Sequence, residues 1–174
     1  MRNKQRVAGL LTGMALLAGA LASTATPAQA YSPNPTVKTY YRDTGKCPCS
    51  GGTLGDPFDG TYFQRDPGGY AVKMELSAGD WFIGKVEFHP NDEKLYVYDT
   101  KNDGDTFYVH VQYSYNGSTH SLGTHSAPGT SAVVDRGVWD FDIPEGAYVD
   151  ITVYDGTGMT DYIGGATGTG GAIA

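Results

Sequence analysis

The chain has 174 residues and a formal net charge of −7, with 12 basic and 19 acidic side chains. An acidic surface repels nucleic acid and anionic lipid headgroups, so the charge argues against both partners and favours basic or neutral ones. The length is sufficient for one domain with a single two-layer core.

Residues 1–30 have the pattern of a secretory signal peptide. Three basic residues come first, at Arg2, Lys4 and Arg6. An apolar run at 7–22 follows, and Ala28 and Ala30 have the small side chains of a cleavage site. The run is shorter than the ~20 residues of a membrane-spanning helix. The sequence therefore predicts a secreted, extracellular protein that has no membrane span. Its mature form is predicted to begin at Tyr31. Cleavage would remove three basic residues and no acidic one, which changes the net charge from −7 to −10.

Residues 31–60 are predicted to be an extended leader with a short strand at 36–41 and a surface loop at 44–60. The loop contains Cys47 and Cys49, which are separated by one proline. Export favours oxidation, so we expect these two cysteines to form a disulfide with each other. A bridge to a second chain, a metal pair and a redox role are the alternatives that the spacing leaves open.

The folded domain is predicted at 61–164, as an all-β antiparallel sandwich of about seven to nine strands. Alternation of apolar and polar residues predicts strands at 69–76 and 81–88. The Ser, Thr and Gly-rich residues 118–130 are predicted to be a polar loop. The glycine-rich residues 165–174 are predicted to be a frayed tail. The charged residues of the two alternating strands are expected to face solvent; they are Lys73, Glu75, Lys85 and Glu87.

A central β-hairpin is predicted between 94–100 and 106–114, because both segments are rich in β-branched and aromatic residues and a glycine lies between them. Its register pairs Leu95 with Val111 and brings four rings together on the outer face. These candidate ligand-binding residues are Tyr96, Tyr98, Tyr108 and His110. Rings on a flat sheet stack well on sugars or on the apolar side chains of a partner. The alternative is that a second sheet or a loop covers them.

A second hairpin is predicted between 138–143 and 147–154, and its register places Asp140 opposite Asp150. Such a pair of like charges is destabilising unless water or a cation screens it. Asp103 and Asp105 form another acidic group in the first hairpin turn. Calcium is therefore a candidate cofactor at these four aspartates, since it prefers clustered oxygens. The spacing does not fit an EF-hand, and solvated acidic turns are the alternative.

The sequence contains no complete catalytic signature. His120 and His125 are five residues apart in a predicted loop, which fits no metalloprotease motif. A Gly-x-Ser-x-Gly nucleophile elbow does not occur. A small hydrolase would need a histidine beside a serine or a carboxylate.

The run from Val86 to Gly104 resembles a pattern in small exported actinobacterial β-rich proteins of unassigned function. In that pattern a strand and a turn precede a strand that ends in Asp-Thr-x-x-Asp-Gly, as residues 99–104 do. Tyr98 occupies a position where a cysteine would be expected, so the resemblance implies no shared disulfide framework. It implies export and a β-rich fold, without a mechanism.

Taken together, these patterns predict a secreted, non-catalytic binding protein that uses the aromatic face to contact a glycan, the cell wall or a protein. A secreted enzyme inhibitor is the first alternative, with an exposed loop at 118–130 or 44–60. A small hydrolase is the second.

Overall fold

The structure is a computed structural model that describes residues 31–49, 62–128 and 134–174. Its strands are β1 (Thr36–Asp43), β2 (Tyr70–Ala78), β3 (Trp81–His89), β4 (Lys94–Asp99), β5 (Tyr108–Tyr115), β6 (Ser118–His125), β7 (Asp135–Asp140), β8 (Tyr148–Tyr154), β9 (Tyr162–Ala166) and β10 (Ala172–Ile173). Short 3-10 helices lie at Thr44–Lys46, Asn91–Glu93 and Gly168–Gly170. In the described part of the chain, no helix has the length and apolar character needed to cross a membrane.

All ten strands belong to one antiparallel sheet, with the order β6-β5-β8-β10-β2-β3-β4-β7. Strand β1 pairs with β2, and β9 pairs with β8. The predicted all-β antiparallel fold is confirmed. The strands form one continuous sheet, whereas the predicted sandwich would have two separate sheets. Val97 of β4 and Val109 of β5 share one hydrophobic core although four strands lie between them in the sheet. The sheet must therefore curl around its core, as twisted sheets of this size do.

Strand β8 illustrates why these segments form strands. Val149, Ile151 and Val153 are fully buried, and they alternate with the partly exposed Asp150 and Thr152. Period-two alternation directs one set of side chains into the core and the other set away from it. Each buried aliphatic side chain contributes about 1.5–3 kcal/mol relative to an exposed one.

The central hairpin that the sequence predicts does not form. Strand β4 pairs with β3 and β7, and β5 pairs with β6 and β8. Leu95 lies opposite Phe88 and not opposite Val111. A short turn, closed by a hydrogen bond from Glu93 N to Pro90 O at 3.0 Å, joins β3 to β4. Strand β3 therefore pairs with β4 along the edge at which β5 was predicted to pair.

The second predicted hairpin does not form either. Strand β7 pairs with β4, so Asp140 lies opposite Lys94, and β8 pairs with β5, so Asp150 lies opposite Gln112. The expected repulsion between the two aspartates is absent. Opposite charges paired across strands are favourable, whereas the predicted like charges would be unfavourable.

The short strand predicted at 36–41 is confirmed, and two segments that were expected to be irregular also form strands. The predicted strand is β1, which extends to Asp43 and pairs with β2 through all eight of its residues. Most of the predicted loop at 118–130 is β6, which pairs with β5. The predicted tail ends in β10, where Ala172 pairs with Val149. Gly171 permits this approach, since a Cβ there would lie 2.5 Å from the Val149 carbonyl oxygen. The predicted signal peptide and residues 50–61 lie outside the described residues.

Gly84→Ala should destabilise the fold. A Cβ at this position would collide with the Tyr98 carbonyl oxygen and lie 2.6 Å from the Phe107 ring. We expect the free energy of unfolding to fall by about 1–3 kcal/mol, as measured by urea denaturation. Gly156→Ala is the control, because its Cβ would meet no atom nearer than Thr160 Oγ1 at 3.8 Å. Equal unfolding free energies for the two variants would contradict this packing.

Candidate functional site

A groove of about 490 Å³ lies where β1, β2, β8 and β10 meet. It is lined by Tyr41, Tyr70, Tyr148, Thr169, Gly170, Gly171 and Ile173. The three tyrosines are 44%, 41% and 48% exposed, respectively. Their rings are thus partly supported by the protein and partly open to solvent. We call this feature the tyrosine groove.

Strand pairing fixes the spacing of two of these rings. Ile173 of β10 pairs with Tyr148 of β8 on one side and with Tyr70 of β2 on the other. Adjacent strands are ~4.8 Å apart, so the backbones of the two tyrosines are about 10 Å apart. The short strand β10 therefore holds the backbones of two exposed tyrosines at a fixed distance.

The tyrosine groove continues into a polar end. A second cavity, of about 230 Å³, shares Tyr148 and Thr169 with the groove and adds Ser114, Asp150 and Gly168. Asp150 Oδ1 accepts a hydrogen bond from Gly168 N at 2.6 Å. Asp150 thereby holds the glycine-rich turn, and the groove combines aromatic rings with hydroxyl and carboxylate groups.

Tyr162, the first residue of β9, is 61% exposed. Burial raises the pKa of Tyr41, and the nearby Tyr162 raises it further. The Tyr41 phenol is therefore uncharged at neutral pH and is able both to donate and to accept a hydrogen bond.

A second feature lies on the side of β2 and β3 that faces away from the core. Its members, which we call the buried charge cluster, are Lys73, Glu75, Lys85, Glu87 and His89, and each is at most 8% exposed. Glu87 is at its centre. Glu87 Oε1 lies 3.1 Å from Lys85 Nζ and 3.8 Å from Lys73 Nζ, while Oε2 lies 3.3 Å from His89 Nε2.

The segment that contains the disulfide covers this cluster. Cys47 and Cys49 are bonded to each other, as the sequence predicts. Cys49 exchanges two backbone hydrogen bonds with Phe63, at 2.8 and 3.1 Å. The Phe63 ring then packs on His89, with a centroid distance of 4.6 Å. The cross-linked turn thus forms part of the cover over the charges.

The expectation that Lys73, Glu75, Lys85 and Glu87 face solvent is wrong. Buried charges are tolerated when opposite charges pair closely. Burial raises the pKa of Glu87, but the hydrogen bond with His89 and the charge of Lys85 outweigh this, so its pKa lies below the usual value. Glu87 is therefore ionised and is an anion that both lysines share, while Lys73 Nζ also lies 3.5 Å from Glu75 Oε1.

The predicted aromatic face is divided between strands that are not neighbours. Tyr98 is only 4% exposed, beneath Lys85, whose Nζ lies 4.5 Å from the ring centroid. Tyr96 stacks beside Tyr98 at 6.3 Å. Tyr108 and His110 lie on β5, and His110 Nδ1 is 3.3 Å from Thr124 Oγ1. These four residues do not form one surface, because β4 and β5 do not pair.

The four aspartates proposed for calcium are also separated. Asp140 Oδ2 lies 3.8 Å from Lys94 Nζ, and Asp150 Oδ2 accepts from Gln112 Nε2 at 3.2 Å. Asp103 Oδ1 accepts from the backbone N of Asp105 at 3.1 Å, within one turn. In residues 31–49, 62–128 and 134–174, no three acidic, histidine or cysteine side chains are grouped in a way that would hold a metal ion.

The two histidines of the predicted loop have packing roles. His120 stacks on Tyr113, with ring centroids 4.8 Å apart. His125 packs against Trp139 and Phe141, and burial lowers its pKa. His125 is therefore neutral at neutral pH, beside two aromatic rings.

Sequence reasoning did not identify Tyr41, Tyr70 and Tyr148. Each lies on a different strand, and the strand that joins two of them was expected to be a frayed tail. The one available signal was the presence of 13 tyrosines, since such amphipathic rings suit wet binding surfaces as well as half-buried sheet faces.

Comparisons of the chain with protein-family models, with curated proteins and with solved structures find no match. The function must therefore be argued from the geometry of this chain.

Glu87→Gln should destabilise the protein at neutral pH, because it removes the anion between two buried lysines. We expect a loss of about 3 kcal/mol in the free energy of unfolding, measured by urea denaturation at pH 7. A lowered folded-state pKa contributes stability above the unfolded-state value of about 4.3, and that stability is lost as the pH falls. The variant should therefore lose less stability than the wild type on acidification.

The control is Glu145→Gln, which removes an exposed carboxylate. Its free energy of unfolding should stay within about 0.5 kcal/mol of the wild-type value. If the free energy of unfolding of Glu87→Gln is also unchanged, Glu87 does not stabilise the buried charge cluster.

Proposed function

We propose that the protein is secreted and acts outside the cell as a non-catalytic binding protein, with the tyrosine groove as its binding site for a neutral glycan. The observation that carries the proposal is the arrangement of three half-exposed tyrosines around one groove. As the proposed binding site, the tyrosine groove replaces the aromatic face predicted from the sequence, which comprised Tyr96, Tyr98, Tyr108 and His110. The proposed class of function, a secreted binding protein, is unchanged.

The chemistry of the groove favours a sugar chain. Tyrosine rings offer flat apolar faces to sugar rings, and their hydroxyls supply polar contacts at the edge. Thr169 and Ser114 add hydroxyl groups, and Asp150 adds a carboxylate, all suited to hydrogen bonding with sugar hydroxyls. A net charge of −10 after removal of residues 1–30 disfavours anionic polymers, including nucleic acid.

The inhibitor alternative has less support from the segments that were expected to present a loop. Residues 118–125 are hydrogen-bonded in β6, and residues 44–49 form a cross-linked turn packed on the sheet. The described parts of both segments are therefore held by the fold.

One observation favours the hydrolase alternative. His89 lies beside the Glu87 carboxylate, as a general base would. It also lines a cavity of about 220 Å³ together with Tyr62, Gln64, Asn91, Asp92, Lys94 and Tyr96. This alternative predicts polysaccharide or ester hydrolysis that is abolished by His89→Ala, whereas the binding proposal predicts no such activity.

Tyr70→Ala and Tyr148→Ala should each weaken glycan binding. The test is affinity electrophoresis of the secreted protein in gels that contain xylan, mannan or hydroxyethylcellulose. Because each variant removes a stacking ring, we expect the dissociation constant for the retarding polysaccharide to rise by up to about tenfold. Thermal melting should show that both variants remain folded.

Tyr62→Ala is the matched control, since Tyr62 is 58% exposed and lies outside the groove. This variant should be retarded as strongly as the wild type. The proposal fails if none of the three polysaccharides retards the wild-type protein, or if Tyr62→Ala weakens binding as much as the groove variants do.

A further inference from the structure

Tyr31 is buried although the three residues after it are exposed. Its ring belongs to the main hydrophobic core and lines a cavity of about 430 Å³ with Trp81 and Ile83. Asn34 Nδ2 donates a hydrogen bond to Asp161 Oδ1 at 2.7 Å. The segment from Tyr31 to Asn34 is thus fixed against the connection between β8 and β9.

Asp155 lies directly after β8 and is only 2% exposed. Within the described residues, no hydrogen bond of standard geometry reaches either of its carboxylate oxygens. Its backbone N donates to Asp161 O at 2.8 Å, so Asp155 belongs to the same connection that binds Asn34. Burial raises the pKa of Asp155, and the nearby backbone N–H of Tyr31 offsets part of the shift. A carboxylate buried in this way is costly in its charged form unless it has a positive partner.

Other acidic groups make the surroundings of Tyr31 more negative. Asp99 is 1% exposed, and burial is the main reason that its pKa rises to about 6. Burial raises the pKa of the Tyr31 hydroxyl, and the charges of Asp99, Asp103, Asp105 and Asp155 raise it further. One basic side chain, Lys101, lines the same cavity, but its Nζ lies over the Trp81 ring at 5.1 Å.

We infer that the chain is cleaved before Tyr31 and that the α-ammonium group created there is the ion-pair partner of Asp155. Ala28 and Ala30 are the small residues that a signal peptidase requires. Hydrolysis of the Ala30–Tyr31 amide adds one water, leaving a carboxylate on Ala30 and an amine on Tyr31. This amine takes up a proton at neutral pH, because its ordinary pKa is about 7.7–8.0.

The geometry gives this cleavage a structural consequence. The Tyr31 nitrogen lies close enough to Asp155 for its N–H to lower the pKa of that carboxylate, although no hydrogen bond of standard geometry joins them. After cleavage this nitrogen becomes a charged donor with three hydrogens. Removal of residues 1–30 would therefore supply the positive charge that the buried carboxylate lacks. The inference rests on the export predicted from the sequence and is independent of what the tyrosine groove binds.

The test uses the full chain expressed in a secreting bacterial host. N-terminal sequencing of the secreted product should read Tyr-Ser-Pro-Asn. Limited acetylation at pH 7, followed by mass spectrometry of the N-terminal peptide, then measures how reactive the α-amine is. We expect it to react at least about tenfold more slowly than the free peptide Tyr-Ser-Pro-Asn. The pH dependence of that rate should give an α-amine pKa at least about one unit above the ordinary value.

Asp155→Asn should bring the α-amine to within about threefold of the peptide's reactivity, whereas Asp140→Asn, which changes an exposed aspartate on β7, should leave it protected. A different mature N-terminus, a wild-type amine as reactive as the peptide, or an Asp155→Asn amine that stays protected would each overturn the inference. If Asp155→Asn is not secreted, the pKa of the Tyr31 α-amine in the wild-type protein tests the inference. A raised pKa supports the ion pair with Asp155, and an ordinary pKa overturns it.

Discussion

The ionised Glu87 carboxylate between Lys73 and Lys85 is the interaction on which the rest of the sheet depends. It allows β2 and β3 to be buried on both sides, with an apolar core on one side and paired charges on the other. Because the charges compensate each other, the cover formed by Phe63 and the cross-linked turn can exclude water from them. Loss of Glu87 would remove the carboxylate nearest Lys85 and one of the two carboxylates beside Lys73, and we expect the central strands to become less stable.

The same strand β2 connects this cluster to the tyrosine groove. Lys73 lies in the middle of β2, and Tyr70 lies at its first residue, where it pairs with Ile173 of β10. Strand β10 inserts between β2 and β8, so the groove is built from segments about a hundred residues apart in sequence. A rigid β2 therefore preorganises the spacing of the rings, which lowers the entropic cost of binding an extended ligand.

Local patterns in the sequence were sufficient to predict most strands but not their partners. Alternation identified β2, β3 and β8 with nearly correct bounds, because the period of two is a local property. Pairing was mispredicted for β4 and β5, since a glycine turn permits a hairpin without requiring one. The alternating pattern of Lys73 and Glu75 in the sequence is the same whether their side chains face solvent or are buried beside opposite charges. The pattern therefore does not predict their burial. The tyrosine groove depends on β10, whose two residues give no local signal.

Glycan binding at the tyrosine groove can be tested by a chemical-shift titration of the isotopically labelled, secreted protein with xylohexaose and cellohexaose. If the tyrosine groove binds neutral glycans, at least one of these sugars should shift the backbone amide signals of Tyr70, Tyr148 and residues 168–173 most strongly, with small changes elsewhere. The absence of shifts with both sugars, or the largest shifts at His89 and Lys94, would contradict the assignment of the tyrosine groove as the binding site.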